Sequence, residues 1–368
     1  MIKRILILGA YGNFGSHITK KLAYEPDLQI IIAGRSEEKC QHLASSFKDA
    51  PNPPTYHVLD ISKNLPQELK TIAPDIVIHT SGPFQGQGYE VAEACIDYGC
   101  HYIDLADGRA FVDGIGCLDQ RAKEKNLSII TGASSVPTLT SAIMDHYLPE
   151  FQKITSVDYA ITTAQHTNTG LATTSAVLSY TGNPFETLIN GKMQKIYGWQ
   201  DLHAYDYPDL GHRLLGNCDI PDLYIFPQRY KDLATIRFYA GLEIRFLHLG
   251  LWGISWMVRA GLIKNLERYS DPLLKISRLF DTFGSNQSGF HFEMSGIGKD
   301  ESLKKKTFYI IAKSGHGPFI PSVPSILCAK ILARDETMAR GAWPCVGIIS
   351  LEQYMESLKD LDIKFLTA

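Results

Sequence analysis

The chain alternates short unbroken apolar runs with longer stretches in which apolar positions recur every three or four residues. The runs at 4–8, 29–33, 55–59, 75–79, 101–105 and 127–131 predict strands, and the stretches 14–24, 36–47, 65–72, 87–98 and 117–125 predict helices between them. Strands that are apolar throughout, not at every second position, are covered on both faces. This rhythm therefore predicts a doubly wound α/β domain around a parallel sheet. After Pro137 the texture changes to Thr- and Gly-rich patches, with strand-like runs at 156–163, 236–239, 289–296 and 307–313 and a helical block near 242–283. We expect a first domain over 1–135, joined by a return of 322–368 with helices near 323–333 and 350–359, and a second α+β domain over 136–321.

Composition narrows the classes. With 45% hydrophobic and 20% charged residues the chain is globular, and 36 Lys+Arg against 39 Asp+Glu give a formal charge of −3. No global field gathers nucleic acid. The opening Met1-Ile2-Lys3-Arg4 leads straight into a strand, without the apolar stretch and cleavage site of a signal peptide. Residues 246–258, the most apolar later stretch, are too short to cross a hydrocarbon core of about 30 Å as a helix. Seven scattered cysteines, with no C-x-x-C pair and no zinc-type spacing, read as reduced thiols in a cytoplasmic protein without a metal centre.

The first chemistry-bearing motif is Gly9-Ala10-Tyr11-Gly12-Asn13-Phe14-Gly15, set between the first strand and the first helix. Glycines there permit a tight turn, close phosphate approach and close helix packing, while the amides and dipole of the helix start attract a pyrophosphate. The spacing is G-x-x-G-x-x-G, not the commoner G-x-G-x-x-G, and its place in the first βα turn gives it weight. The bland alternative is a structural turn. The second strand ends Ile32-Ala33-Gly34-Arg35-Ser36, where an enzyme for the non-phosphorylated cofactor usually has Asp or Glu. Arg35 suits a 2′-phosphate, with Ser36 and Lys39 as further donors, so the expected dinucleotide is NADP bound in a Rossmann-type domain. Asp60, ending the third strand, either faces the adenine or caps a helix.

The second motif is Thr80-Ser81-Gly82-Pro83-Phe84, after the fourth strand. Gly99-Cys100-His101-Tyr102-Ile103-Asp104-Leu105-Ala106-Asp107-Gly108 then forms a fifth strand ending in carboxylates. Both loops are expected at the carboxyl edge of the sheet, with Ser81, Gly82 and Pro83 beside the nicotinamide. Together with GAYGNFG, IIAGR, GASSVPTLTSAIMD, HLGLWGISWMVRAGL, GHGPFIP and GAWPCVGIISLEQYMESL, the chain resembles the saccharopine dehydrogenase-like NADP-binding oxidoreductases over nearly its whole length. The resemblance implies hydride transfer to or from NADPH, on the C=N bond of an amino-acid-derived imine or the C=C bond of a lipid-like enoyl substrate. Asp107-Gly108 departs from the acidic Gly-Glu end often seen in that family.

A nicotinamide carries the hydride, so the protein needs an acceptor site and a proton donor. The candidates are Tyr102, Asp104 and Asp107, with His166 and Tyr180 in the second domain; each also has a structural reading, in sheet packing or a turn cap. The wall facing the nicotinamide is expected from residues 166–174 and 252–256. That wall is mostly apolar and favours an acyl-bearing small molecule, although Arg213, Arg229 and Arg237 are possible carboxylate ligands. Residues 246–258 read as a helix buried in a homodimer, a pocket wall or a shallow peripheral membrane contact. Lys304-Lys305-Lys306 reads as a charged hairpin turn. A nucleotide-binding sensor or scaffold without turnover is the alternative from another class.

Overall fold

The computed structural model describes residues 2–167, 170–334 and 338–368. The first stretch runs β1 (Lys3–Leu8), α1 (Asn13–Leu22), β2 (Leu28–Gly34), α2 (Glu37–Ser45), β3 (Thr55–Val58), α3 (Leu65–Ile72), β4 (Ile76–His79), α4 (Glu90–Tyr98), β5 (His101–Asp104), α5 (Arg109–Gly114), α6 (Asp119–Glu124) and β6 (Ser128–Thr131). Next come α7 (Thr140–Tyr147), β7 (Phe151–Thr163), α8 (Leu171–Tyr180), β8 (Pro184–Ile189), β9 (Lys192–Tyr197), β10 (His203–Tyr207), β11 (Gly211–Asn217), α9 (Asp222–Arg229) and β12 (Thr235–Leu242). The chain continues through α10 (Arg245–Arg259), α11 (Ser270–Arg278), β13 (Ser288–Gly298), β14 (Leu303–Ala312), α12 (Val323–Ala333), β15 (Gly341–Pro344), α13 (Leu351–Leu358) and β16 (Ile363–Thr367).

Residues 1–139 and 319–349 form one compact unit. Its seven strands lie in the order β15-β6-β5-β4-β1-β2-β3, every pair parallel. Ile5, Leu6, Ile7 and Leu8 have essentially no exposed surface, as expected of a strand covered on both faces. The order reverses between β1 and β4, because the chain builds outward to β3 from one side and to β6 from the other. Ligands of open α/β sheets bind at such a switch point, beyond the carboxyl ends of the strands. Leu8 pairs with Ala33 on one side and His79 on the other, and His79 pairs with Asp104. The turns that follow these four residues therefore emerge side by side.

Residues 140–318 and 350–368 form the second unit, an α+β body on a sheet ordered β10-β11-β12-β7-β13-β14-β16. Only β12 and β7 pair in parallel in this sheet. The return to the first unit is shorter than the expected 322–368. Residues 350–368 belong to the second unit because β16 forms an antiparallel ladder with β14, Phe308 opposite Thr367 through Ala312 opposite Ile363. The three lysines do not form a turn. They lie on β14, with Lys304 Nζ 2.8 Å from Glu150 and Lys305 Nζ 2.8 Å from Glu293.

Candidate functional site

The site is built where β1 and β4 end. Gly9 turns with φ +78°, and a Cβ there would lie 2.6 Å from Ser81 Oγ and 2.9 Å from Thr80 Oγ1. The glycine is what lets the two loops meet. Thr80 locks the junction from the other side, its hydroxyl donating to the carbonyls of Leu8 (2.8 Å) and Gly9 (3.1 Å). Gly15 has the third role foreseen for these glycines: a Cβ would lie 2.4 Å from the Gly9 carbonyl and 2.8 Å from Ala10 Cα, so α1 packs on the turn only without one.

Gly12 is the N-cap of α1 and supplies no side-chain cap, so the positive end of the helix dipole is not met by a side chain of its own cap. A Cβ on Gly12 would meet only the Gly9 carbonyl, at 3.1 Å, so the space in front of the helix is open. That combination suits a pyrophosphate: a positive helix end, and room for close approach.

Tyr11 does more than the sequence suggested. Its hydroxyl accepts from the amides of Arg35 (3.1 Å) and Ser36 (3.2 Å) and so ties the glycine turn to the end of β2. Arg35 itself is exposed. The Ser36 hydroxyl is the N-cap of α2, accepting from the Lys39 amide at 3.4 Å, so its first duty is to the helix. Asp60 closes a turn by accepting from the Ser62 amide (3.1 Å) and hydroxyl (2.8 Å). Those two bonds, with help from the nearby charges of Lys63 and Arg35, hold its carboxyl below the usual range.

Ser81, Gly82 and Pro83 form a loop with a cis Gly82–Pro83 bond, pinned by Gln87 Nε2 donating to the carbonyls of Ser81 (3.0 Å) and Pro83 (2.6 Å). Under it lie His79, Tyr102 and Asp104, all buried. The Tyr102 hydroxyl stands 3.1 Å from His79 Nδ1. Burial holds His79 down to about 4, so its ring is neutral at pH 7. Asp104 Oδ1 accepts from the Ala106 amide, the Thr131 hydroxyl and the Gly132 amide, each at 2.9 Å. Burial nevertheless pushes its carboxyl up to about 6.

Of the two readings open for Tyr102 and Asp104, proton donor or structural support, their burial accords with the second. With no exposed surface they organise the β5 and β6 edge from beneath. Asp107 is partly buried, accepts from Gln85 Nε2 at 3.1 Å, and has its carboxyl raised by desolvation.

In the second unit His166 Nε2 lies 2.7 Å from the Asp281 carbonyl, and the Tyr180 hydroxyl accepts from Cys218 Sγ at 3.0 Å. Asn168 and Thr169 of the expected wall lie outside the described residues. The three arginines considered as carboxylate ligands are each committed to an acid of this unit: Arg213 to Glu243 (3.4 Å), Arg229 to Asp145 (2.8 Å) and Arg237 to Asp201 (2.6 Å).

Among known proteins, the mouse saccharopine dehydrogenase-like oxidoreductase is 28% identical over 151 residues, which cover 36% of this chain and 35% of the mouse protein. A putative trans-acting enoyl reductase of Mycobacterium tuberculosis is 27% identical over 140 residues, covering 36% and 33% respectively. The match thus spans about a third of the length of these relatives. The apo saccharopine dehydrogenase (L-Glu forming) of Saccharomyces cerevisiae superposes over 100% of both chains with a TM-score of 0.69 at 12% identity, a likeness of fold. Residues 5–130, about a third of the chain, match the family described as the saccharopine dehydrogenase NADP binding domain, a match that takes in the glycine turn, Arg35 and the Ser81 loop.

Proposed function

We propose that the protein is an NADP-dependent oxidoreductase moving hydride between NADPH and a C=N or C=C bond. The observation that carries this reading is the meeting of Gly9 and Ser81 at the switch point, on the same edge as Arg35. The Gly9–Gly15 turn would hold the pyrophosphate, Arg35 the 2′-phosphate, and Ser81, Gly82 and Pro83 would flank the nicotinamide. Bound NADPH supplies the hydride. Of the three acid candidates at this edge, Asp107 is the one with exposed surface, and we give it the task of orienting or protonating the acceptor. His79, Tyr102 and Asp104 are positioning residues beneath the loop.

The pairing of Arg213, Arg229 and Arg237 with acids supports an apolar, acyl-bearing substrate over a dicarboxylate, since a clamp would first have to break an ion pair. The scattered cysteines support a cytoplasmic setting. The test is a fluorescence titration with NADPH and NADH, followed by absorbance screening of enoyl thioesters against amino acid and oxo acid pairs. Oxidation of NADPH by enoyl thioesters is the expected result, and failure to bind NADPH overturns the reading. The burial of Tyr102 and Asp104 favours one second reading, a nucleotide-binding sensor, and NADPH binding without turnover on either substrate set would select it.

A further inference from the structure

The helix α10 wears its polarity inside out. His248 and Ser255 are buried, whereas Phe246 (48% exposed), Leu249 (43%), Trp256 (46%) and Met257 (44%) face outward. These four positions fall on one side of a helix of 3.6 residues per turn. Gly250 and Gly253 lie on the same side, and a Cβ on either would have nothing within 4 Å. A surface helix ordinarily turns its charged face to water, so an apolar outer face marks a surface made to be covered. The face extends beyond the helix, because the Phe246 ring packs edge-on against Phe280 (4.8 Å) and Phe283 (6.4 Å). Phe283 and its neighbour Leu279 are 71% and 75% exposed.

Charge identifies the occupant. Residues 245–283 hold six lysines and arginines against three acids, in a chain that as a whole has 36 against 39. Arg245, Lys264 and Arg268 are exposed in this segment. At the far end of α10 the Arg259 guanidinium lies 5.0 Å from the centre of the Trp256 ring. Apolar and aromatic side chains bordered by cations are the composition of helices that lie in a lipid interface, and at about 1.5 Å per residue α10 is too short to span one. A second copy packed isologously on the same face would set this positive segment against itself. We propose that the outer face of α10, with residues 279–283, docks on an anionic lipid surface, Phe246, Leu249, Trp256 and Met257 entering the headgroup boundary and the surrounding cations meeting lipid phosphates.

Sedimentation with sucrose-loaded vesicles tests this, using the full chain and phosphatidylcholine vesicles with and without phosphatidylglycerol. The protein should pellet with the anionic vesicles and be released by salt. Lys264→Gln and Arg268→Gln should each weaken binding about fivefold. The double variant Leu249→Ser/Met257→Ser changes only exposed side chains, so it should fold with an unchanged melting curve and lose vesicle binding. Equal pelleting with neutral and anionic vesicles, or undiminished binding by the double variant, overturns the proposal. So does a protein that ignores both vesicle types and runs as a dimer which the double variant splits, an outcome that would assign the face to a second copy.

Discussion

The ring of Tyr11 fills the space that a side chain at residue 34 would take. A Cβ on Gly34 would lie 2.3 Å from Tyr11 Cε1, and the ring rests there with its hydroxyl on the amides of Arg35 and Ser36. The glycine of the Ile-Ala-Gly-Arg run thus shapes the turn that presents Arg35. Gly34→Val should expel the ring and weaken NADPH binding at least tenfold. Tyr11→Phe, which deletes one acceptor shared by two amides, should cost only about 0.5–1.5 kcal/mol. Isothermal titration of both variants checks this, and wild-type affinity in Gly34→Val would show that Tyr11 has no part in presenting Arg35.

Arg35 is expected to set cofactor choice. Loss of a charge-assisted bond to the 2′-phosphate is worth roughly 1.5–3 kcal/mol, about one to two orders of magnitude in affinity. Arg35→Ala should therefore bind NADPH and NADH nearly alike, while the wild type prefers NADPH. Equal affinities in the wild type would remove the basis for assigning Arg35 to the phosphate.

Gly12 separates binding from folding. Its φ of −73° is open to any residue, and a Cβ would meet only the Gly9 carbonyl. Gly12→Val should keep its melting temperature within a few degrees and lose nucleotide binding, because the branched side chain occupies the pyrophosphate's space. A folded variant that still binds NADPH would reduce the motif to a structural turn.

Asp104 and His79, which both neighbour Tyr102, carry opposing pH dependences. The folded pKa of Asp104, about 6, lies above its unfolded value. Its contribution to stability is therefore present below about pH 4 and lost as pH rises to about 6. His79 is held down to about 4, so its contribution is present above about pH 6.5 and lost as pH falls toward 4. Each is worth up to about 3 kcal/mol, and they largely cancel. Asp104→Asn keeps an acceptor for Ala106, Thr131 and Gly132 but removes the carboxylate titration. Relative to wild type, its unfolding free energy from urea titrations should climb by about 3 kcal/mol between pH 4 and 6.5. Parallel curves would mean that Asp104 does not titrate in this window.

The first unit was legible because its signals are local. Six runs became β1 to β6, each within two residues at either end; β1 and β4 are almost wholly buried and leave apolar runs, whereas β3 at the sheet edge is mostly exposed and was read from its β-favouring Thr, Tyr and Val. The hairpin of β8 and β9 was missed although Asn190-Gly191, both at positive φ, carries the strongest short-range hairpin signal; β9 is mostly exposed and polar, so no apolar alternation drew attention to it. β15 and β16 escaped because four- and five-residue strands are defined by partners far away in sequence. At the site, Gly9, Gly12 and Gly15 announced themselves by spacing, whereas the ties of Tyr11 and Gln87 depend on loops that meet only once the sheet has formed. The burial of Tyr102 follows from its packing in one core with Val91 and Cys95 of α4 and with Ile115, contacts that exist only once the helices lie on the sheet.

The chain passes from one unit to the other at residues 139, 318 and 349. Neither unit can therefore be completed by a ribosome that has not yet passed residue 341. The parallel sheet waits for β15 and the mixed sheet for β16, so the nucleotide-binding unit reaches its final form only after a strand made about 200 residues after β6. Such long-range closure is slow and leaves sheet edges open in the meantime. A fragment ending at residue 139 should accordingly expose the free edge of β6 and aggregate when expressed alone.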